Sequence, residues 1–167
     1  MFHILILLCA ASRLLPHLPN FTPIGALALF AGAYADRRSA WTVPLAALLI
    51  GDAFLGFYNP LLMAFVYGGF VVGGLLGHRF LRERRSAARI GALAITNSVV
   101  FFVLSNFGVW VVGMYPHTWE GLARCYVMAI PFFRNTLLGD LFYTAALFGL
   151  YEAARTWAAR RHTLATS

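Results

Sequence analysis

Lysine is absent from this chain: all 13 basic residues are arginine, only six residues are acidic, and charged residues make up 11% of the sequence. Soluble domains carry about 25% charged residues. The shortage matters because 60% of the 167 residues are hydrophobic, more apolar surface than a soluble domain of that length can hide. The medium expected around this protein is therefore lipid. Lysine's absence also excludes a Walker-type phosphate loop. Gly-x-Ser-x-Gly, His-Glu-x-x-His and the dinucleotide fingerprint are missing too, so no enzyme activity and no cofactor are expected. Cysteine is limited to Cys9 and Cys125, without the close spacing of a zinc site or disulfide framework.

Six apolar stretches are present, at about 2–15, 23–35, 41–58, 61–77, 90–114 and 126–151. Proline-bearing or arginine-rich breaks separate them. Unpaired backbone is costly in lipid and barrel-like alternation is absent, so each stretch is expected to be helical. The fold class read from this pattern is all-α, a polytopic transmembrane bundle of about six spans in one domain, ending in a basic tail at 152–167. Residues 4–11 resemble a signal-peptide core, but no basic residue precedes them and no convincing cleavage site follows. They are read as a retained first helix.

The arginines fix an orientation. Six spans put the 36–39 and 78–89 connections and the C-terminal tail on one side. Those segments hold Arg37, Arg38, Arg79, Arg82, Arg84, Arg85, Arg89, Arg155, Arg160 and Arg161, ten of the 13. The positive-inside rule places that side, with both termini, in the cytoplasm. It accounts for the net charge of +7 without nucleic acid, and a contact of Arg79–Arg89 with anionic lipid follows naturally.

Two spans are too short. Stretches 2–15 and 23–35 would rise only about 20 Å each, against a hydrocarbon core of about 30 Å. Between them, Pro16-His17-Leu18-Pro19-Asn20-Phe21-Thr22-Pro23 forbids continuous helix. This loop is expected to dip into the bundle, where irregular backbone is tolerated only if buried in protein or lining a cavity. In the fourth span, Gly69, Gly73 and Gly77 share one face, suited to close helix packing inside the monomer. Leu49–Phe54 and Leu137–Phe142 echo each other around Asp52 and Asp140, too briefly to establish a duplication.

Ionisable residues inside apolar spans each cost at least about 2.5 kcal/mol and need a reason. Arg13, Asp52, Arg134 and Asp140 are such residues. Either they pair with one another and fix helix register, or they line an outward-facing cavity and hold a polar ligand. Thr136, Asp140, Tyr143 and Thr144 share one helical face, and Arg134 points about a third of a turn away from it. Asn106 and Trp110 recur at helical spacing, able to hydrogen-bond and stack on a ligand or to serve as helix glue and interfacial anchor. Tyr58, Tyr115 and Trp119 suit an outer aromatic belt. His17, His117, Cys125 and Met114 could form a soft metal site, but they lack ligand spacing and no metal is expected. The candidate substrate-binding set is Arg13, His17, Asn20, Asp52, Asn106, Trp110, Arg134, Asn135 and Asp140.

The segments Arg13–Tyr34 (RLLPHLPNFTPIGALALFAGAY) and Ala129–Leu141 (AIPFFRNTLLGDL) resemble an uncharacterised bacterial family of small six-helix membrane proteins labelled as transport proteins. That family in turn resembles, by architecture, the substrate-binding S components of energy-coupling-factor (ECF) vitamin transporters. The resemblance implies residence in the bacterial inner membrane and a vitamin-sized small-molecule ligand near the extracytoplasmic face. It also implies contact with a cytoplasmic ATPase module through small residues on the first helix, of which only Ala10-Ala11 is present. A non-catalytic assembly subunit of a membrane complex, with its glycine face outward, is the main alternative. An intramembrane enzyme acting on a lipid or cofactor through Asp52 or Asp140 is the other.

Overall fold

The computed structural model describes residues 2–16 and 18–165, and among these the chain is all-helical. Six helices follow one another: α1 (Phe2–Ser12), α2 (Ile24–Tyr34), α3 (Arg37–Leu55), α4 (Pro60–Leu81), α5 (Ala87–Val111) and α6 (Trp119–Ala165). Capping explains the sharp starts. The Asp36 carboxylate accepts from the backbone N–H of Arg38 and Ser39 at 3.0 and 3.3 Å. The Asn59 carbonyl accepts from those of Leu61 and Leu62 at 2.9 and 3.2 Å, ahead of Pro60 at the first helical position. Ser86 accepts from Arg89 at 3.3 Å.

α6 departs most from the apolar pattern, running 47 residues where the apolar stretch covers 126–151. Its extra first turn starts where the Thr118 hydroxyl accepts from Gly121 N–H at 3.1 Å, with Glu120 favourably placed near the positive end of the helix. Pro131 lies inside the helix without ending it.

α2 is the centre of the bundle. Every residue from Ile24 to Ala33 is buried, and α2 touches all five other helices. Alanines and glycines make this possible. An added Cβ at Gly77 would come within 2.5 Å of the Leu29 carbonyl oxygen, and one at Gly32 within 2.6 Å of the His78 nitrogen. One at Gly74 would collide with the Ala40 carbonyl. Gly77 and Gly74 of α4 therefore lie directly on the backbones of α2 and α3, while Gly69 and Gly73 face Phe101 and Asn97 of α5, all inside the monomer.

Phe30 anchors one end, packed against Phe2, Tyr34, Phe148 and Tyr151. That end carries the starts of α1, α3 and α5 and the end of α2. The 56–59 and 112–118 connections form the far end. α1 and α2, at about 16 Å each, reach only part of the way there, and the loop joining them packs against the middle of α6. Phe21 lies on Gly139 and beside Phe142 and Tyr143, with ring centroids 6.0 and 5.4 Å away. The Asn135 amide donates to the Pro19 carbonyl at 3.0 Å. Asn20 makes the tight bend, with φ of 64°, a conformation asparagine tolerates better than most residues.

α4 and α5 are long and apolar enough to cross a membrane. Each has a mean hydropathy of 1.8 over its most apolar window, and only 28% and 22% of those windows are buried.

Candidate functional site

Because α1 and α2 stop short, a cavity of ≈ 380 Å³ remains above them among α3, α4, α5 and α6. Arg13, Asn20 and Thr22 of the α1–α2 loop reach it, Gly25 of α2 forms its floor, and Ser105, Asn106, Thr136 and Asp140 supply polar atoms from α5 and α6. Its remaining walls are largely phenylalanine and aliphatic.

Two buried carboxylates organise the site in different ways. Asp52, 2% exposed, has both oxygens occupied. Arg13 Nη2 donates to its Oδ1 at 2.6 Å, and the Tyr67 hydroxyl donates to its Oδ2 at 2.7 Å. Arg13 Nη1 also donates to the Leu48 carbonyl at 3.0 Å. Gly51 permits this, since a Cβ there would lie 2.5 Å from Nη1. The cluster ties the end of α1 to α3 and α4.

Asp140, 3% exposed, is bonded only to neutral groups among the described residues. Its Oδ2 accepts from the Ser98 hydroxyl at 2.7 Å and the Asn97 amide at 3.3 Å. Its Oδ1 presses on Gly25, in the first turn of α2. Among the described residues Asn97 Oδ1 is buried without a hydrogen-bond partner, and it lies against Gly73.

Four of the candidate residues thus line one cavity: Arg13, Asn20, Asn106 and Asp140. Asp52 stands behind Arg13, and Asn135 holds the loop through Pro19. Two lie elsewhere. Trp110 is turned into the 112–118 connection, its indole N–H donating to the Pro116 carbonyl at 3.0 Å and its ring 5.1 Å from that of His117. Arg134 is exposed, and the ion pairs among the described residues are Arg13–Asp52 and Arg155–Glu152. His17 lies outside the described residues. Of the soft-metal candidates, the Cys125 thiol meets the Asn106 carbonyl at 3.4 Å and His117 Nε2 the Trp110 carbonyl at 2.8 Å. Tyr58, expected in an aromatic belt, is among the residues lining the cavity.

Sequence reasoning gave no role to Tyr67, Asn97 or Ser98. A signal existed for the last two: buried amides and hydroxyls in an apolar helix need partners, and Asp140 is one of few available.

No curated protein and no solved structure matches the chain significantly. Residues 1–163 match the model of a family described as "Family of unknown function (DUF6580)". The chain therefore belongs to that family of unknown function, which its match spans nearly end to end.

Proposed function

We propose that this chain is a six-span protein of the bacterial inner membrane, with both termini cytoplasmic, that binds a small polar metabolite or vitamin near the extracytoplasmic face as a step in its transport. The observation that carries the reading is the cavity above the half-length α1–α2 pair, with Arg13, Asn20, Asn106 and Asp140 on its wall. Buried charge and non-helical backbone beside a cavity are what a ligand site within a bilayer requires. The volume falls at the small end of ligand pockets, which span about 300–1,000 Å³.

Three further features support it. The apolar windows of α4 and α5 are mostly unburied, as expected of helices facing lipid rather than a soluble core. Phe54, Leu150 and Leu15 are exposed at 74%, 72% and 65%. Ten of the 13 arginines lie in the 36–39 and 78–89 connections and the C-terminal part of α6, toward the end of the bundle opposite the cavity. The S-component likeness implies a cytoplasmic ATPase partner, but Ala10 is buried and only Ala11 is exposed, so such a module would need another docking face. The assembly-subunit reading loses its main feature, because Gly69, Gly73 and Gly77 of α4 face neighbouring helices of the same chain.

The test is to purify the protein in mild detergent and identify bound small molecules by mass spectrometry, beside a Ser105→Phe variant whose cavity is filled. A ligand released from the wild type and absent from the variant is the expected result. A folded wild type that carries none and is stabilised by no vitamin or metabolite in a broad panel would overturn the proposal.

A further inference from the structure

This inference rests on reading the cavity as a binding site and concerns what it binds. The fixed charges there do not balance. Arg13 and Asp52 are in contact and cancel. The Arg13 guanidinium is further engaged by the Leu48 carbonyl, which leaves it little to offer an anionic ligand. Asp140 has no cation beside it among the described residues. Its partners are the neutral Ser98 and Asn97, both on Oδ2.

The N-terminus of α2, which would otherwise attract an anion, is already taken. Its cap residue Pro23 supplies no side-chain bond, and Asp140 Oδ1 lies on Gly25 in its first turn. A helix N-terminus carries only about half a positive charge, less than an ionised Asp140 carboxylate would need to be neutralised at the cavity floor.

The walls agree in sign. Phe70 pairs with Phe101 at 4.6 Å between ring centroids, and Phe102 with Phe133 at 4.8 Å. All four line the cavity. Aromatic faces carry negative quadrupole potential and attract cations, most strongly where water is excluded. A buried carboxylate below two aromatic pairs is chemistry for an ammonium group with an apolar body.

We infer that the cavity takes a small organic cation, a protonated amine or quaternary ammonium compound. Its positive group sits at Asp140 and its hydrocarbon part lies among the phenylalanine rings.

The local charge can be read without knowing the natural ligand. In a Cys9→Ala, Cys125→Ala background, Ser105→Cys places one thiol on the cavity wall. Its reaction rate is measured with trimethylammonium-ethyl methanethiosulfonate and with the anionic sulfonatoethyl reagent, and the ratio is normalised to that of a free thiol in solution. Focusing of charge in a low-dielectric cleft predicts a preference of about tenfold or more for the cationic reagent, slowed by tetramethylammonium as competitor. Adding Asp140→Asn should return the ratio toward one. The ratio in the Asp140-containing protein decides even if that variant fails to fold. A normalised ratio at or below one, with both reagents reacting, overturns the cation assignment and leaves a water-accessible binding cavity standing. No reaction with either reagent overturns the reading of the cavity as a site, and this inference with it.

Discussion

Removing Arg13 should destabilise the protein far more than removing Arg13 and the Asp52 charge together. At 2.6 Å, the Coulomb attraction of the pair is about 6 kcal/mol at an effective dielectric of about 20. Desolvation of both ions offsets several kcal/mol of that, leaving a net coupling of about 2–4 kcal/mol. Arg13→Ala leaves a buried carboxylate with the Tyr67 hydroxyl as its remaining partner, at a cost of about 3–5 kcal/mol. Asp52→Asn keeps an acceptor for Tyr67 and should cost less. The double variant should recover much of the stability lost in Arg13→Ala. Reversible unfolding in dodecyl maltoside–SDS micelles would give the four free energies of the cycle. Additivity within about 0.5 kcal/mol would refute a coupled pair. The cycle also separates bracing from binding. If the pair only braces α1 against α3, the stabilised double variant keeps ligand affinity; if Arg13 touches ligand, affinity stays low after stability returns.

Gly74→Ala drives a methyl into the Ala40 carbonyl, whereas Gly68→Ala meets nothing within 4 Å. The first should cost about 1–3 kcal/mol or more by overpacking and the second little, as read by the same unfolding assay. Asn59→Ala removes the acceptor for Leu61 and Leu62 N–H and should cost about 0.5–2 kcal/mol. The hydrogen bond from the Ser39 hydroxyl, with help from the Ser39 and Arg38 N–H groups, lowers the Asp36 pKa below its ordinary 3.8. A lowered acid contributes stability that is complete above 3.8 and lost as pH falls through the folded-state value. Asp36→Asn should flatten that acidic limb in a pH series of melting temperatures.

The helices were readable because each feature that delimits them is local. Prolines at 16, 19 and 23 stop α1 and delay α2, and Asp36, Asn59 and Ser86 open the next three helices by bonding N–H groups two or three residues on. The central place of α2 was half readable. Its alanines and glycines suit close packing, but composition does not say which neighbour lies where. The ends of α6 were missed because hydropathy marks lipid-sized apolar runs, and a helix continues past them wherever backbone bonding and a Thr118 cap allow. For the site, intramembrane charge singled out Arg13, Asp52 and Asp140, since each needed a partner. Which partner each found depended on tertiary distance. Asp52 took the arginine 39 residues away, while Arg134, only six positions before Asp140, stayed at the surface. Trp110 shared a helical face with Asn106, yet the 112–118 turn offered its indole an acceptor first.

The backbone-to-backbone seat of α2 on α4 has a mechanical corollary. Sliding α2 by one residue would bring Ala31 or Ala33 to the place where Gly32 now lies on Gly74 and Gly77, driving a methyl into the α4 backbone, so the helix is locked like a bolt in its keeper. On the proposed reading, the cavity's base at Gly25 therefore stays in place while ligand enters and leaves. Nearer the cavity mouth, residues 18–22 of the α1–α2 loop meet α6 through the Asn135 amide on the Pro19 carbonyl and through the Phe21 ring, while Arg13 is held by Asp52 and the Leu48 carbonyl. On that same reading, these loop contacts and the Arg13 cluster, rather than any displacement of α2, set how fast the compartment opens.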